Sequence, residues 1–353
     1  MEWFHAHSGL EVIWIEPTIL RFPKLSDIRN LKTHFSRVES EKPAWIRLVE
    51  PINIPFEPLP FYDRLMVGIW NRFKKQNFSQ DAHFAVVIGL PSKLALFTLT
   101  NLPSCTSLLD VMDDFPSFHK GLAAKSIRKV QTDIARRADH IVCSSPKLVE
   151  KFGSLGIETE LVQNGSNGSP PTVKEVRERT NDNIKFCYLG TLGQWFDWEY
   201  LKKLARALPG SEFTIIGQVF SPPRSSLPNN IRLVGTLPHT AALAKIREFD
   251  VGLIPFKINE LTKSVDAVKL YEYLDAGLVV LASRFGGMEP HLDVPTIVTY
   301  FPEEDVENTI LELNKILSQP ESEKAIQNAH TWANRFASSF SIEMILQSMH
   351  QVE

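Results

Sequence analysis

Short apolar runs separated by helical patterns recur along the chain, and their spacing predicts strands alternating with helices. In the second half the runs fall at residues 184–189, 212–216, 231–234, 251–254, 278–282 and 296–298. Runs this short suit strands buried on both faces, and regular alternation with helices predicts a parallel, doubly wound sheet. In the first half, residues 11–16, 44–49, 84–89 and 106–111 read as strands, with FAVVIG (84–89) continuous and buried. Residues 122–165 then read as helix, strand, helix, strand. The stretches 17–41 (polar) and 51–60 (proline-rich) read as irregular, and the tail 302–353 reads as helical, anchored by Trp332, Phe336 and Phe340.

One amphipathic segment stands apart. In residues 60–78 the positions Leu65, Ile69, Trp70 and Phe73 form an apolar stripe flanked by Arg64, Arg72, Lys74 and Lys75. Such a stripe can pack on a sheet, lie on an anionic membrane surface, or do both. The 353 residues suffice for two domains, and 43% hydrophobic with 22% charged residues is an ordinary globular balance. No run approaches the roughly 20 apolar residues of a membrane span, and the first residues lack the basic start and apolar run of a signal peptide. A formal charge of -3 does not favour a polyanionic partner, so nucleic acid is not expected. Cys105, Cys143 and Cys187 sit in or beside apolar runs and are odd in number, which suits buried reduced thiols in a cytoplasmic protein. No metal-type spacing occurs, so no metal is expected.

The chain is organised around residues 264–283, SVDAVKLYEYLDAGLVVLAS. Val268, Tyr271 and Leu274 recur at helical spacing, Gly277 stops the helix, and the apolar run after it reads as a strand. Lys269 and Glu272 lie three apart and share a face. They can form a solvated salt bridge, or a cation can meet a diphosphate while the carboxylate accepts hydrogen bonds from a ribose diol.

KLYEYLDAGLVVLAS resembles the donor segment of family 4-type glycosyltransferases of the GT-B fold. That resemblance implies an α/β protein with two Rossmann-like, doubly wound parallel-sheet domains facing across a cleft. It also implies that Glu272 holds the ribose of a nucleotide sugar and Lys269, beside Leu270, its phosphates. Two positions depart from the pattern: Ser264 stands where many of these enzymes carry a second Glu at the transferred sugar, and Val279 replaces a Pro. Residues 134–165, with their Arg-Arg-Ala-Asp and closing Asn164-Gly165, also resemble these enzymes. The expected layout is therefore an acceptor domain over 1–165, a linker over 166–183, a nucleotide-sugar domain over 184–318, and helices over 319–353 crossing back to the first domain. Against that pattern the chain opens abruptly, so a first strand, loop and helix of roughly 20 to 30 residues is expected to be missing.

Gly190, Thr191 and Gly193 follow a strand and precede a helix, where glycines let backbone amides approach a ligand and the helix end favours negative charge. An ordinary strand-to-helix turn has the same composition. The resemblance places this loop at the donor, together with Gly217, the loop ending at His239, and Pro255. Asp113 and Asp114, at the carboxyl end of a strand, are either turn acids beside Pro116 or the site of a general base, with His119 as an alternative. The Asp-Asp segment also resembles GumK-like glucuronosyltransferases, which would favour inversion.

The function implied is transfer of a hexose from a nucleotide-diphosphate sugar, UDP-linked, to a hydroxyl of a glycan or lipid-linked saccharide in cell-surface polysaccharide synthesis. The sugar nucleotide is a co-substrate, no cofactor is needed, and the enzyme would be cytoplasmic or peripheral on the inner face of the plasma membrane. The rival readings are a non-hydrolysing sugar-nucleotide epimerase and an inactive nucleotide- or glycan-binding protein.

Overall fold

The computed structural model describes residues 2–15, 43–49, 57, 61–79, 81–102, 105–168, 183–319 and 331–350. The stretch expected to be polar and irregular, most of the proline-rich connection, most of the expected linker and part of the tail lie outside these residues. Two compact units divide the chain. One contains residues 1–144, 148–162 and 336–353, the other residues 145–147 and 163–335.

In the first unit the helix Glu2–Ser8 stops at Gly9, whose φ of 67° continues no helix. Strand β1 (Val12–Ile15) pairs in parallel with β2 (Ile46–Val49). A separate parallel sheet runs in sequence order through β3 (Phe84–Ile88), β4 (Cys105–Val111), β5 (His140–Cys143) and β6 (Glu160–Leu161). Leu109, Val111 and Ile141 on one face pack with Ile134, Leu148 and Phe152 from the crossover helices. Leu108 and Val142 on the other face meet Ile342 and Ile345 of the last helix, Phe340–His350.

Three expectations fail in this unit. The helix Tyr62–Asn77 buries Tyr62, Met66, Trp70 and Phe73, while Leu65 and Ile69 of the expected stripe are exposed. Phe61, at φ 63°, sets the start so that Tyr62 leads the buried face, and Trp70 stacks against Tyr62 and Phe97. Strand β3 is only half-buried over Phe84–Val87. In the tail Phe340 is 65% exposed, because the last helix turns Ile342 and Ile345 to the sheet instead.

The second unit is one six-stranded parallel sheet. Its strands are β7 (Lys185–Leu189), β8 (Glu212–Ile216), β9 (Ile231–Gly235), β10 (Val251–Ile254), β11 (Val279–Ser283) and β12 (Ile297–Tyr300), in the order β12-β11-β10-β7-β8-β9. From β7 the chain winds outward to β9, then returns to the far side of β7 and winds the other way. That is the doubly wound order, and it leaves a switch point between β7 and β10. All positions of β10 and β11 are buried, which is why their sequences read as unbroken apolar runs.

Gly252 in β10 has a packing role. A methyl group there would strike the ring of Tyr273, which lies flat against the bare backbone. The same ring's hydroxyl accepts the Leu189 amide at 2.7 Å, at the end of β7. Gly252→Val should therefore displace Tyr273 and destabilise the second unit by about 1–3 kcal/mol, the usual cost of overpacking. Urea unfolding followed by tryptophan fluorescence measures this; an unchanged midpoint would show that the glycine is incidental.

Candidate functional site

The switch point is built by chain ends that need glycine. Gly190 follows β7 with φ 130°, and Gly217 follows β8 with φ 148°, both in backbone regions that side chains disfavour. The Gly190 amide donates to the Ile216 carbonyl at 2.9 Å, and the Gly217 amide to the Gly235 carbonyl at 2.8 Å. A side chain on Gly217 would run into the Gly190 carbonyl, so the two loops touch through bare backbone. Thr191 is exposed, and its carbonyl accepts the Tyr188 hydroxyl at 2.9 Å. Burial raises the Tyr188 phenol well above its ordinary value, so it acts as a neutral donor. Gly193 is buried against the Trp195 ring.

The helix after this loop differs from expectation. Asp197 caps the helix Trp198–Ala207 and accepts the Glu199 and Tyr200 amides at 3.0 and 3.1 Å. Its own carboxylate already occupies the helix end that the glycine loop seemed to offer to an anion.

A second helix, Val268–Asp275, begins at the same switch point. Ala267 provides no side-chain cap, and the Leu270 amide bonds to the Ala267 carbonyl at 2.9 Å. Leu270 is buried, so only its backbone faces this end, while Val268 of the expected apolar spacing is exposed. Lys269 reaches back across Gly190: its Nζ lies 4.8 Å from the centroid of the Phe256 ring and 5.2 Å from that of Tyr188. A Cβ on Gly190 would sit 3.3 Å from Lys269 Cε. Pro255, buried, carries the carbonyl that accepts the Asp197 amide at 2.8 Å and leads into Phe256.

One turn after Lys269, Glu272 accepts the His239 Nε2 proton on Oε1 at 2.9 Å. The Glu272 side chain is 14% exposed and that of His239 63%. A cavity of roughly 170 Å³ adjoins the pair, lined by Ser166, Asn167, Arg247 and Trp332 among others. A larger hollow near Asp197, Lys257 and Phe301 holds none of the expected site residues, so volume alone does not mark the site. Ser264, where a sugar contact was expected, is buried, and its carbonyl accepts the Ser145 hydroxyl at 2.8 Å.

Sequence reasoning missed the support beneath this helix. Asp266, buried, accepts the Asn164 amide at 2.6 Å and the Tyr271 hydroxyl at 2.8 Å, while Asn164 Nδ2 donates to the Asp266 carbonyl at 2.7 Å. An acid just before a helix reads as a surface cap, and nothing local announces that it is buried.

In the first unit, Asp114 is engaged at both oxygens: Lys151 donates to Oδ1 at 2.5 Å and the Ser117 hydroxyl to Oδ2 at 2.7 Å. Asp113 is half-buried, its carbonyl accepting the Phe115 amide at 3.0 Å, and His119 follows the short turn Phe115–Phe118. Asp110 lies one position inside β4, just before the Asp113-Asp114 pair at the carboxyl end of that strand. Burial raises its carboxyl to about 6. Among the described residues no group of three or more His, Cys, Asp or Glu side chains is placed to hold a metal ion.

No family model matches the chain. The TuaH protein of Bacillus subtilis strain 168, named as a teichuronic acid biosynthesis glycosyltransferase, is 24% identical over 216 residues, 55% of this chain and 52% of TuaH. The chain thus spans about half the length of the curated relative it matches. Among solved structures, HepE of Anabaena in complex with UDP aligns with a TM-score of 0.55 at 12% identity, covering 97% of this chain and 99% of HepE. The same protein has been solved with UDP-glucose. The lipopolysaccharide outer core galactosyltransferase WaaB aligns with a TM-score of 0.52 at 13% identity, covering 96% of this chain and 99% of WaaB. The chain has the GT-B fold, and it is similar to glycosyltransferases in sequence and in structure.

The Asp110 carboxyl gives this unit a pH signature. The folded protein holds that proton more tightly than the unfolded chain, so folding is favoured while the group is protonated and the advantage is lost as pH rises through about 6. Asp110→Asn should raise stability above pH 7 by about 1–3 kcal/mol, the free-energy span of the shift, and flatten the pH dependence between 4 and 7. Chemical denaturation across that range checks it, and parallel curves for the two proteins would contradict it.

Proposed function

We propose that this chain is a glycosyltransferase that moves a sugar from a UDP-sugar to a hydroxyl of a glycan or lipid-linked saccharide in cell-surface polysaccharide synthesis. The observation that carries the reading is Lys269 lying across Gly190 at the switch point, with Glu272 one turn further along the same helix. A diphosphate at this point meets a cation and backbone close enough to touch it, and a ribose then falls beside a carboxylate. The UDP and UDP-glucose of the HepE structures supply the nucleotide.

In the reaction, a bond forms between the acceptor oxygen and the sugar's anomeric carbon as the bond from that carbon to the diphosphate breaks. Lys269 takes up the charge of the departing UDP. The acceptor's proton goes to a carboxylate. Asp113 and Asp114 are the carboxylates for this step, and the bonds from Lys151 and Ser117 to Asp114 fix the turn that carries both.

The acceptor's chemistry fits a contact with a lipid surface. The helix Tyr62–Asn77 exposes Phe61 at its start, then Leu65 and Ile69, beside Arg64, Arg72 and Lys75. Its one acid, Asp63, lies 3.4 Å from Lys93, which leaves the face positive toward an anionic bilayer. No helix among the described residues is long and apolar enough to cross a membrane.

Calorimetry with UDP should show binding weakened about 10–100-fold by Lys269→Ala and by Glu272→Ala, the range for losing a charge-assisted hydrogen bond. Asp113→Asn should keep UDP binding and lose about 10²–10⁴-fold in transfer of radiolabelled sugar from a panel of UDP-sugars to a membrane-lipid extract. A folded wild type that ignores UDP, or variants that bind it equally well, would sink the donor assignment. In sedimentation with vesicles, Leu65→Glu with Ile69→Glu should abolish binding to phosphatidylglycerol and leave UDP binding intact. Wild type that fails to sediment with those vesicles would rule out the lipid contact.

A further inference from the structure

Glu272 is held by a partner from a different loop. His239 opens the helix His239–Ile246, and its Nε2 meets Glu272 Oε1 at 2.9 Å. A carboxylate can only accept, so the proton on this bond sits on the imidazole, which fixes the ring with Nε2 as donor. Glu272 Oε2 has no hydrogen-bond partner among the described residues. The side chain is nevertheless only 14% exposed, so one oxygen is pinned and the other is partly shielded and vacant. His239 itself is 63% exposed and makes no other side-chain hydrogen bond among the described residues. It is poorly placed to contribute to folding, and its one polar contact is with this carboxylate.

We propose that His239 is a positioning residue: it orients Glu272 so that Oε2 is presented to the vicinal diol of the donor's ribose. The inference rests on the donor-site reading above and adds to it the residue that makes the carboxylate selective for a ribonucleotide. An unrestrained glutamate samples several rotamers and loses entropy when a diol fixes it. Holding Oε1 in advance removes that cost and leaves the second oxygen for the 2′- and 3′-hydroxyls.

The test compares UDP with 2′-deoxy-UDP by calorimetry on the full chain, for wild type, Glu272→Ala, His239→Ala and His239→Gln. Wild type should prefer UDP by about tenfold or more, the range for one hydrogen bond to a charged group. In His239→Ala the affinity for UDP should fall severalfold while that for 2′-deoxy-UDP changes less than twofold, so the preference collapses. His239→Gln, whose amide can donate to the same oxygen, should recover at least half of the preference. Equal losses for both nucleotides in His239→Ala, or no loss for either, would overturn the positioning role. If Glu272→Ala weakens UDP and His239→Ala does not, the donor site stands and only this inference fails. If wild type does not bind UDP, or Glu272→Ala binds it as tightly as wild type, both readings fail together.

Discussion

The second unit depends on where one tyrosine can lie. Tyr273 sits on the inward side of the helix Val268–Asp275, and its ring needs the space that Gly252 leaves on β10. With the ring down, its hydroxyl reaches the last amide of β7 at Leu189 and lies 3.4 Å from the Leu253 carbonyl. Burial raises this phenol far above its ordinary value, so it stays neutral and can both accept and donate. The contact fixes the height of the helix above the two strands that flank the switch point. Lys269 then lies over Gly190, and Glu272 within reach of His239, because the helix cannot slide.

Charge around the switch point is distributed unevenly, and that follows from capping. One helix end is already neutralised by Asp197, while the other begins at Ala267 with no side-chain cap. Lys269, held over two aromatic faces, keeps its cation at the uncapped end. Beneath it, Asp266 ties that end to Asn164 through paired hydrogen bonds. Negative charge is thus spent on structure at two places, Asp197 and Asp266, while Lys269 stays at the uncapped end.

The strands of the second unit were legible to within a residue or two, the central β10 and β11 most plainly because they are buried on both faces and leave continuous apolar runs. In the first unit the apolar pattern is a weaker guide, since β3 is only half-buried over Phe84–Val87. There the phase of Tyr62–Asn77 could be read from either Tyr62 or Leu65, and the packing of Tyr62, Met66 and Trp70 on Leu94 and Phe97 decides between them. Lys269 and Glu272 were readable as a pair because helix geometry is local. His239 and Glu272 are 33 residues apart and meet only after two crossovers have been laid on the sheet. The acids at the carboxyl end of β4 were readable as a group, but the raised carboxyl of Asp110 was not, since it comes from burial that no neighbour in sequence encodes.

Gly190 and Gly217 bear on how this sequence can change over time. The carbonyl of one occupies the space where a side chain of the other would stand. Each also holds a dihedral that few other residues tolerate. Substituting Gly217 alone leaves the obstruction in place, and substituting Gly190 alone crowds Lys269. Neither position offers a single step to a neutral neighbour, so any change at one has to be matched by a change at the other.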